Sequence, residues 1–373
     1  MKKLIVGLFF CATLPVFGAQ TKTPIQVRVD LIEALSPTDT TSSLRFQNEF
    51  ELSINTAKAN LKAKLDKCGY ALETSTAFFD ATDPLQAKEK AEKATTDGSW
   101  LIVGPRRSNH YLLLAKGSGK TPTVSLMASA SEIGDLGPSH VSLSPSNAQM
   151  ARAAAIESKS RVRSATNYVS ITSEDCVSCV DFAQIFEKEA GKIGLKNSGN
   201  FSVKGESPQL GGVVEKVVAL NPKIILIPNY SKVAAQIISV LAPKLKSALF
   251  VGSDGWGDSN FGFLQNDVGV ASAKGITVRG FPPVSKGLQL FPLGKAVTRT
   301  GKDVPTSGPG MAILKSLDGV AEILCESRPA SKEAFSVAFE KTAKRKLSAP
   351  FGVSVYDLVS SNIVYEKKVS VKP

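Results

Sequence analysis

Two α/β lobes, each built on a doubly wound parallel sheet, are what this chain predicts, and three observations carry that expectation. Short apolar runs alternate with amphipathic stretches from Ile25 to the end of the Trp100–Ser131 run, as buried strands joined by crossover helices do. After Ser144-Pro145-Ser146-Asn147 the same alternation restarts and runs on to Leu249–Val251, so a second unit with its own core follows the first. The 373 residues, 43% hydrophobic and 21% charged, are globular in composition and enough for two domains of ordinary size.

Taken in order, Ile25–Ile32 reads as a strand, and Arg45–Lys67 as a helix with Phe46, Phe50, Leu52, Ile54, Ala57, Leu61 and Leu65 at roughly helical spacing. Gly69 ends that helix. Tyr70–Ser75 is a strand and Asp83–Thr96 an Ala/Lys/Glu-rich helix. Leu101–Val103 and Val124–Leu126 are strands with a helix between them, and His140–Leu143 is a short strand entering the hinge-like Ser-Pro-Ser-Asn segment. In the second unit strands are expected at Asn167–Ile171, Gly199–Val203, Ile224–Ile227 and Leu249–Val251. Helices are expected from about Ala148 and at Val180–Ile193, Gly211–Ala219 and Lys232–Ala242. Gly275–Val278 reads as a return strand to the first lobe, Pro309–Glu326 and Ser331–Lys344 as helices, and Gly352–Leu358 with Ile363–Val371 as a terminal strand pair.

This order places function at one edge. The strands Leu101–Val103 and Val124–Leu126 finish on the same side, so Ser108 and the Ala128-Ser129-Ala130 turn stand side by side, with backbone groups expected to be free. Ligands of open α/β sheets bind in the crevice outside the carboxyl ends of the strands. Asp254 lies between two small turn residues just past a strand, where the chain can present its carboxylate. Tyr230, just past Ile224–Pro228, is the aromatic best placed to line the crevice, and one of Arg106 and Arg107 can face it.

Residues 1–19 read as a secretory leader: Lys2 and Lys3, an apolar run Leu4–Phe17 interrupted by Pro15, then small residues at Gly18-Ala19. Phe9-Phe10 are too bulky before Cys11 for a good lipidation site, so a periplasmic protein without a lipid anchor is expected. Net charge is +12, or +10 without Lys2 and Lys3. The basic residues are scattered over solvated faces, and export argues against a nucleic-acid partner. Four cysteines remain after the leader, an even number in an oxidising compartment. Cys176 and Cys179 can bridge locally, which leaves Cys68 with Cys325.

Enzyme signatures are absent. His110 and His140 lack a ligand-like spacing to other donors, so neither a metal site nor a Ser-His-Asp triad is expected, and no cofactor motif is complete. Gly117-Ser118-Gly119-Lys120-Thr121 follows a helix and precedes a strand, the reverse of a phosphate-binding loop, and Leu114 stands where that loop needs glycine. Cys176-Val177-Ser178-Cys179 has the spacing of a thiol oxidoreductase but no surrounding thioredoxin unit, which favours a structural bridge. Hydrogen bonding and charge pairing, without catalytic residues, suit binding rather than turnover.

Five segments in sequence, Leu101–Ser108 (LIVGPRRS), Pro122–Ile133 (PTVSLMASASEI), Val141–Asn147 (VSLSPSN), Pro222–Tyr230 (PKIILIPNY) and Phe250–Trp256 (FVGSDGW), resemble the type I periplasmic solute-binding proteins of the leucine/isoleucine/valine-binding branch. The resemblance implies two Rossmann-like lobes joined by three crossovers, residues 24–143 with 277–347 in the first and 144–276 with 348–373 in the second. It implies capture of an amino acid or similar small polar solute by a monomer that serves ABC transporter permease subunits. Carried over by position, Ser108, Met127, Ala128 and Ser129 would hold the solute's α-carboxylate and ammonium from lobe one, while Tyr230 and Asp254 act from lobe two, Asp254 pairing the ammonium, and Ser178 is a further ligand-binding candidate. Ser178, next to Cys179, stands where the family has Tyr-Gly; Glu33–Thr41 lacks the family's glycine pattern, and Lys223 replaces Asp. A ligand sensor or an envelope partner protein on the same fold is the alternative.

Overall fold

The computed structural model describes residues 23–37, 40–205, 208–256, 274–280, 289–290, 296–297, 308–347, 351–357 and 362–369. The leader, Cys11 and the Phe281-Pro282-Pro283 segment lie outside them.

Strands β1 (Ile25–Leu35), β2 (Tyr70–Asp80), β3 (Leu101–Val103), β4 (Thr123–Ser125) and β5 (His140–Ser142) form one sheet in the order β2-β1-β3-β4-β5, and every pairing in it is parallel. Helices α1 (Thr40–Cys68), α2 (Leu85–Thr96) and α3 (Ser108–Gly117) are its crossovers. The parallel pairing follows from composition: Val27, Val29, Leu31, Leu101, Val103 and Val124 are buried on one face, and Ile32, Ile102 and Ala128 on the other. A sheet covered on both faces has no place for polar alternation.

The second sheet runs β14-β13-β10-β9-β8-β6-β7. Its members are β6 (Asn167–Ser173), β7 (Lys196–Val203), β8 (Ile224–Leu226), β9 (Leu249–Gly252), β10 (Lys274–Gly280), β13 (Phe351–Asp357) and β14 (Asn362–Val369), while β11 (Gln289–Leu290) and β12 (Ala296–Val297) pair separately. Helices α4 (Asn147–Arg161), α5 (Val177–Lys192), α6 (Gly211–Leu220) and α7 (Ser231–Leu241) flank it, and two apolar clusters fill its faces. It is parallel from β7 to β10, then β13 and β14 add in antiparallel. The expected return of Gly275–Val278 to the first lobe is therefore corrected. That segment pairs with β9 on one side and β13 on the other, so its backbone bonds are satisfied within the second sheet.

Helices α8 (Gly308–Ser327) and α9 (Lys332–Leu347) return to the first unit, where Ile313, Leu317, Leu324, Phe335 and Phe339 join the core of β1, β3 and α1. A disulfide between Cys68 at the end of α1 and Cys325 in α8, with Cα atoms 5.3 Å apart, locks this return. The second bridge, Cys176–Cys179, spans the start of α5 with a Cα separation of 5.2 Å. Among the described residues no helix is long and apolar enough to cross a membrane.

One glycine fixes the edge where β3 leaves the sheet. Gly104 has φ +103°, and a Cβ there would collide with the Ile32 carbonyl oxygen. Gly104→Ala is expected to lower stability by about 3 kcal/mol or more, because backbone strain and a backbone clash add; the urea midpoint of the variant checks this.

Candidate functional site

The carboxyl ends of both sheets carry the residues that meet between the units. On the first, α3 begins at Ser108 immediately after β3, and residues 126–131 follow β4. On the second, the loop after β6 carries Cys176–Cys179 into α5, the loop after β8 ends at Tyr230, and the turn after β9 carries Asp254. Buried Asn229 ties two of these loops together: its side-chain carbonyl accepts from Ser173 N (2.8 Å) and its amide donates to the Ile171 carbonyl (3.2 Å). Ser253 donates to the Pro228 carbonyl (3.0 Å) and accepts from Gly255 N (3.3 Å), which sets the Asp254 turn. Trp256 then folds back over Gly252, where any Cβ would strike the indole.

Asp254 reaches across. Its Oδ2 accepts from Ser144 Oγ (3.3 Å), and the Ser129 hydroxyl is a second hydrogen-bond partner. Burial pushes the Asp254 carboxyl up to about 6 from an ordinary 3.8, against the pull of those hydroxyls: loss of water disfavours the anion more than two neutral donors favour it. Ser129 Oγ also lies 3.0 Å from Ser178 Oγ on the opposite unit. Tyr230 sits beneath the Arg107 guanidinium, whose carbon is 5.1 Å from the ring centroid. Burial raises the Tyr230 hydroxyl above its ordinary range, with Arg107 pulling it down and Asp254 pushing it up.

The structure thus brings Ser129, Ser178, Tyr230 and Asp254 together, and it gives Ser108, Ala128 and Met127 different work. Ser108 Oγ accepts from Ser129 N (3.1 Å) and Ala130 N (3.2 Å), so it staples the two loops of its own lobe. Ala128 N donates to Ser125 Oγ (2.9 Å) and the Ala128 carbonyl accepts from Ser142 Oγ. Met127 is half-buried against the first core. The backbone groups expected to be free on this turn are consumed: the N–H of Ser131 also donates, to Asp181 Oδ2 (2.8 Å). Four consecutive amides pointing into a confined space are too costly to leave unpaired; Ser125 and Ser108 supply acceptors for three of them and Asp181 for the fourth.

Asn147, Asp181, Ser144 and Glu33 belong to this region and are the residues that sequence reasoning misses. Fully buried Asn147 opens α4; its N–H donates to the Ser129 carbonyl (2.7 Å), and its amide donates to the Ser178 carbonyl (2.8 Å) and to Asp181 Oδ2 (2.9 Å). Together with Ser131 N this network joins the two units beside the crossover. Its only sequence signal is the polar Ser-Pro-Ser-Asn run preceding an Ala-rich helix, where Ser146 and Gln149 form a capping box. Glu33, near the end of β1, is buried 3.3 Å from Arg106 Nε and accepts from Arg106 N; burial raises its carboxyl and Arg106 opposes that. Arg106 also lies over the Phe46 ring, 4.0 Å from the centroid, so it is held to its own lobe while Arg107 faces Tyr230. His110, lowered to about 4 by burial and by Arg107, is neutral at physiological pH.

No protein-family model and no curated protein sequence matches the chain. Solved structures do. The branched-chain amino acid transporter substrate-binding protein LivJ from Streptococcus pneumoniae, in complex with isoleucine, superposes with a TM-score of 0.70 at 12% identity, covering 92% of this chain and 99% of that one. A leucine-binding protein from Thermotoga maritima gives 0.66 at 14% identity over 91% and 98% of the two chains. A solute-binding protein of an ABC transporter from R. palustris, in complex with benzoate, gives 0.67 at 13% identity over 91% and 95%. The chain therefore has the two-lobed α/β fold of the type I periplasmic solute-binding proteins.

Proposed function

We propose that this protein is a periplasmic solute-binding module, not an enzyme, which captures an amino acid or similar small polar solute between its lobes for the permease subunits of an ABC importer. In this reading residues 24–143 with the α8–α9 return form one lobe, and residues 144–280 with the terminal strands form the other. The observation that carries the reading is the placement of Asp254. A carboxylate from one unit faces the Ser129 hydroxyl of the other, with Ser144 of its own unit donating to it, beside an aromatic ring and an arginine. A few convergent polar groups within a largely apolar crevice are what a small-molecule site requires. Ser129, Ser178, Tyr230 and Asp254 line the site, and contacts made only when the lobes meet shift the population toward the closed form. The solutes in the neighbouring structures, isoleucine and benzoate, share a carboxylate.

A thermal-shift screen of amino acids and benzoates, with mass spectrometry of small molecules released on denaturing natively purified protein, tests the reading. A released solute that also raises the melting temperature of the stripped protein is the expected result. Silence in both measurements would overturn it.

The Asn147–Ser178–Asp181–Ser131 network favours a second reading, a ligand sensor or partner of envelope machinery, because it joins the lobes through protein groups alone. Affinity capture from envelope extract that recovers a large partner and no permease would decide for it.

A further inference from the structure

The Cys176–Cys179 bridge closes a loop with a sequence separation of only 3, so it adds little to global stability, yet it sits where the lobes touch. Ser178, inside the loop, has its hydroxyl 3.0 Å from Ser129 Oγ of the first lobe. Asp181, two residues past Cys179, accepts from Ser131 N of the same lobe (2.8 Å). Asn147 closes the set: its N–H donates to the Ser129 carbonyl and its side-chain amide to the Ser178 carbonyl. The first lobe therefore grips the chain on both sides of Cys179. Cys176 and Cys179 are buried, but Val177 between them is 37% exposed, which puts the bridge just beneath the surface.

We propose that this bridge is a redox-sensitive catch on lobe closure: a dithiol opens it, the Ser178–Asp181 turn loses its fixed geometry, and the lobes part. Cys176 caps α5, and its Sγ accepts from Cys179 N (3.2 Å). On reduction that sulfur becomes a thiolate facing an N–H donor at the positive end of a 16-residue helix, which stabilises the anion and makes Cys176 the better leaving group. The thiolate of the dithiol attacks Cys179 Sγ, the Cys176–Cys179 bond breaks, and its electron pair leaves on Cys176. The second thiol of the reductant, its proton lost to solvent, then attacks the mixed disulfide. Cys179 departs and takes up a proton, and the reductant ends as its own disulfide with two electrons passed to the bridge. Exchange with an oxidising disulfide reverses each step and resets the catch. The proposal stands apart from solute capture, because every contact in the catch is between protein groups.

The test is a dithiothreitol titration of the full chain, in which alkylation and mass spectrometry report each cysteine pair. Residue-resolved amide hydrogen exchange and small-angle scattering are followed in parallel. Ser131 N, bonded across the lobes to Asp181, is the reporter, and Ala130 N, bonded to Ser108 within its own lobe, is the control. Opening Cys176–Cys179 is expected to speed exchange at Ser131 by about tenfold or more, in keeping with the modest worth of so short a loop. Ala130 should not change, and the radius of gyration should rise. A Cys176→Ser/Cys179→Ser variant, shown folded by circular dichroism, should exchange fast at Ser131 without reductant. Any effect of reducing Cys68–Cys325 appears in both proteins and is subtracted. Wild type alkylated at Cys176 and Cys179 with Ser131 exchange within about twofold of the oxidised protein, or with an unchanged radius, would overturn the proposal. A bridge that dithiothreitol fails to open in the folded chain would overturn it as well.

Discussion

Asp254→Asn is expected to weaken capture of an amine-bearing solute by about a hundredfold, which corresponds to roughly 3 kcal/mol for a desolvated ion pair losing one charge. The same substitution is expected to make the ligand-free protein more stable at neutral pH. The sign follows from the environment: burial holds the carboxyl near 6, above its ordinary 3.8, so the folded chain binds that proton more tightly than the unfolded chain does. This contribution to stability is fully present below about pH 4 and is lost as pH rises through about 6. The substituted amide would be neutral throughout, so the variant's melting temperature should lack that decline. Binding runs the other way. An ammonium requires the ionised carboxylate, so wild-type affinity should be about tenfold weaker at pH 5 than at pH 7 and level above that. Calorimetric titrations at pH 5, 6, 7 and 8, with melting curves of both proteins over the same range, check the two slopes. Affinity independent of pH in the wild type would remove Asp254 from ligand contact.

The second large effect is structural. Cys68 and Cys325 are 257 residues apart in sequence, and their bridge joins α1 to α8 across the outside of the first core. The loop it closes contains the whole second sheet up to β10. Closing so long a loop in the unfolded chain is worth about 5.5 kcal/mol on the chain-entropy model. The Cys68→Ala/Cys325→Ala double variant should therefore melt its first lobe roughly 15 °C lower, on the usual scaling of melting temperature with stability. The second lobe has separate cores, so its transition should stay in place. Scanning calorimetry resolves the two. By the same argument the Cys176–Cys179 bridge, with a separation of 3 residues, contributes about 2 kcal/mol or less. Its greater consequence is to hold Ser178, which meets Ser129 across the cleft.

Much of the fold was legible because the strands are buried on both faces. Leu101–Val103 and Ile224–Leu226 are short apolar runs bounded by turn residues, and they emerge as β3 and β8. Boundaries moved where pairing rather than hydrophobicity decides: β4 begins at Thr123, whose partners are Ile102 and His140. Glycine and a lysine-containing run obscured the start of β7, which reaches back to Lys196 on the sheet edge. At the site, Ser129, Tyr230 and Asp254 were legible because strand order dictates which loops share an edge. What could not be read was who consumes the backbone amides. Ser108 bonds across 21 and 22 positions, and Asp181 across 50, separations that carry no local period or motif. Arg106 and Arg107 are neighbours of identical type, and only packing against Phe46 or Tyr230 tells them apart.

The cleft is tested most directly by a crystal structure of the protein with the tightest amine-bearing acid from the screen. Density for one solute is expected between the lobes, its ammonium within hydrogen-bond reach of Asp254 and its body against Tyr230. Density anywhere else, with Ser144 still donating to Asp254 as it does here, would contradict capture between the two sheets.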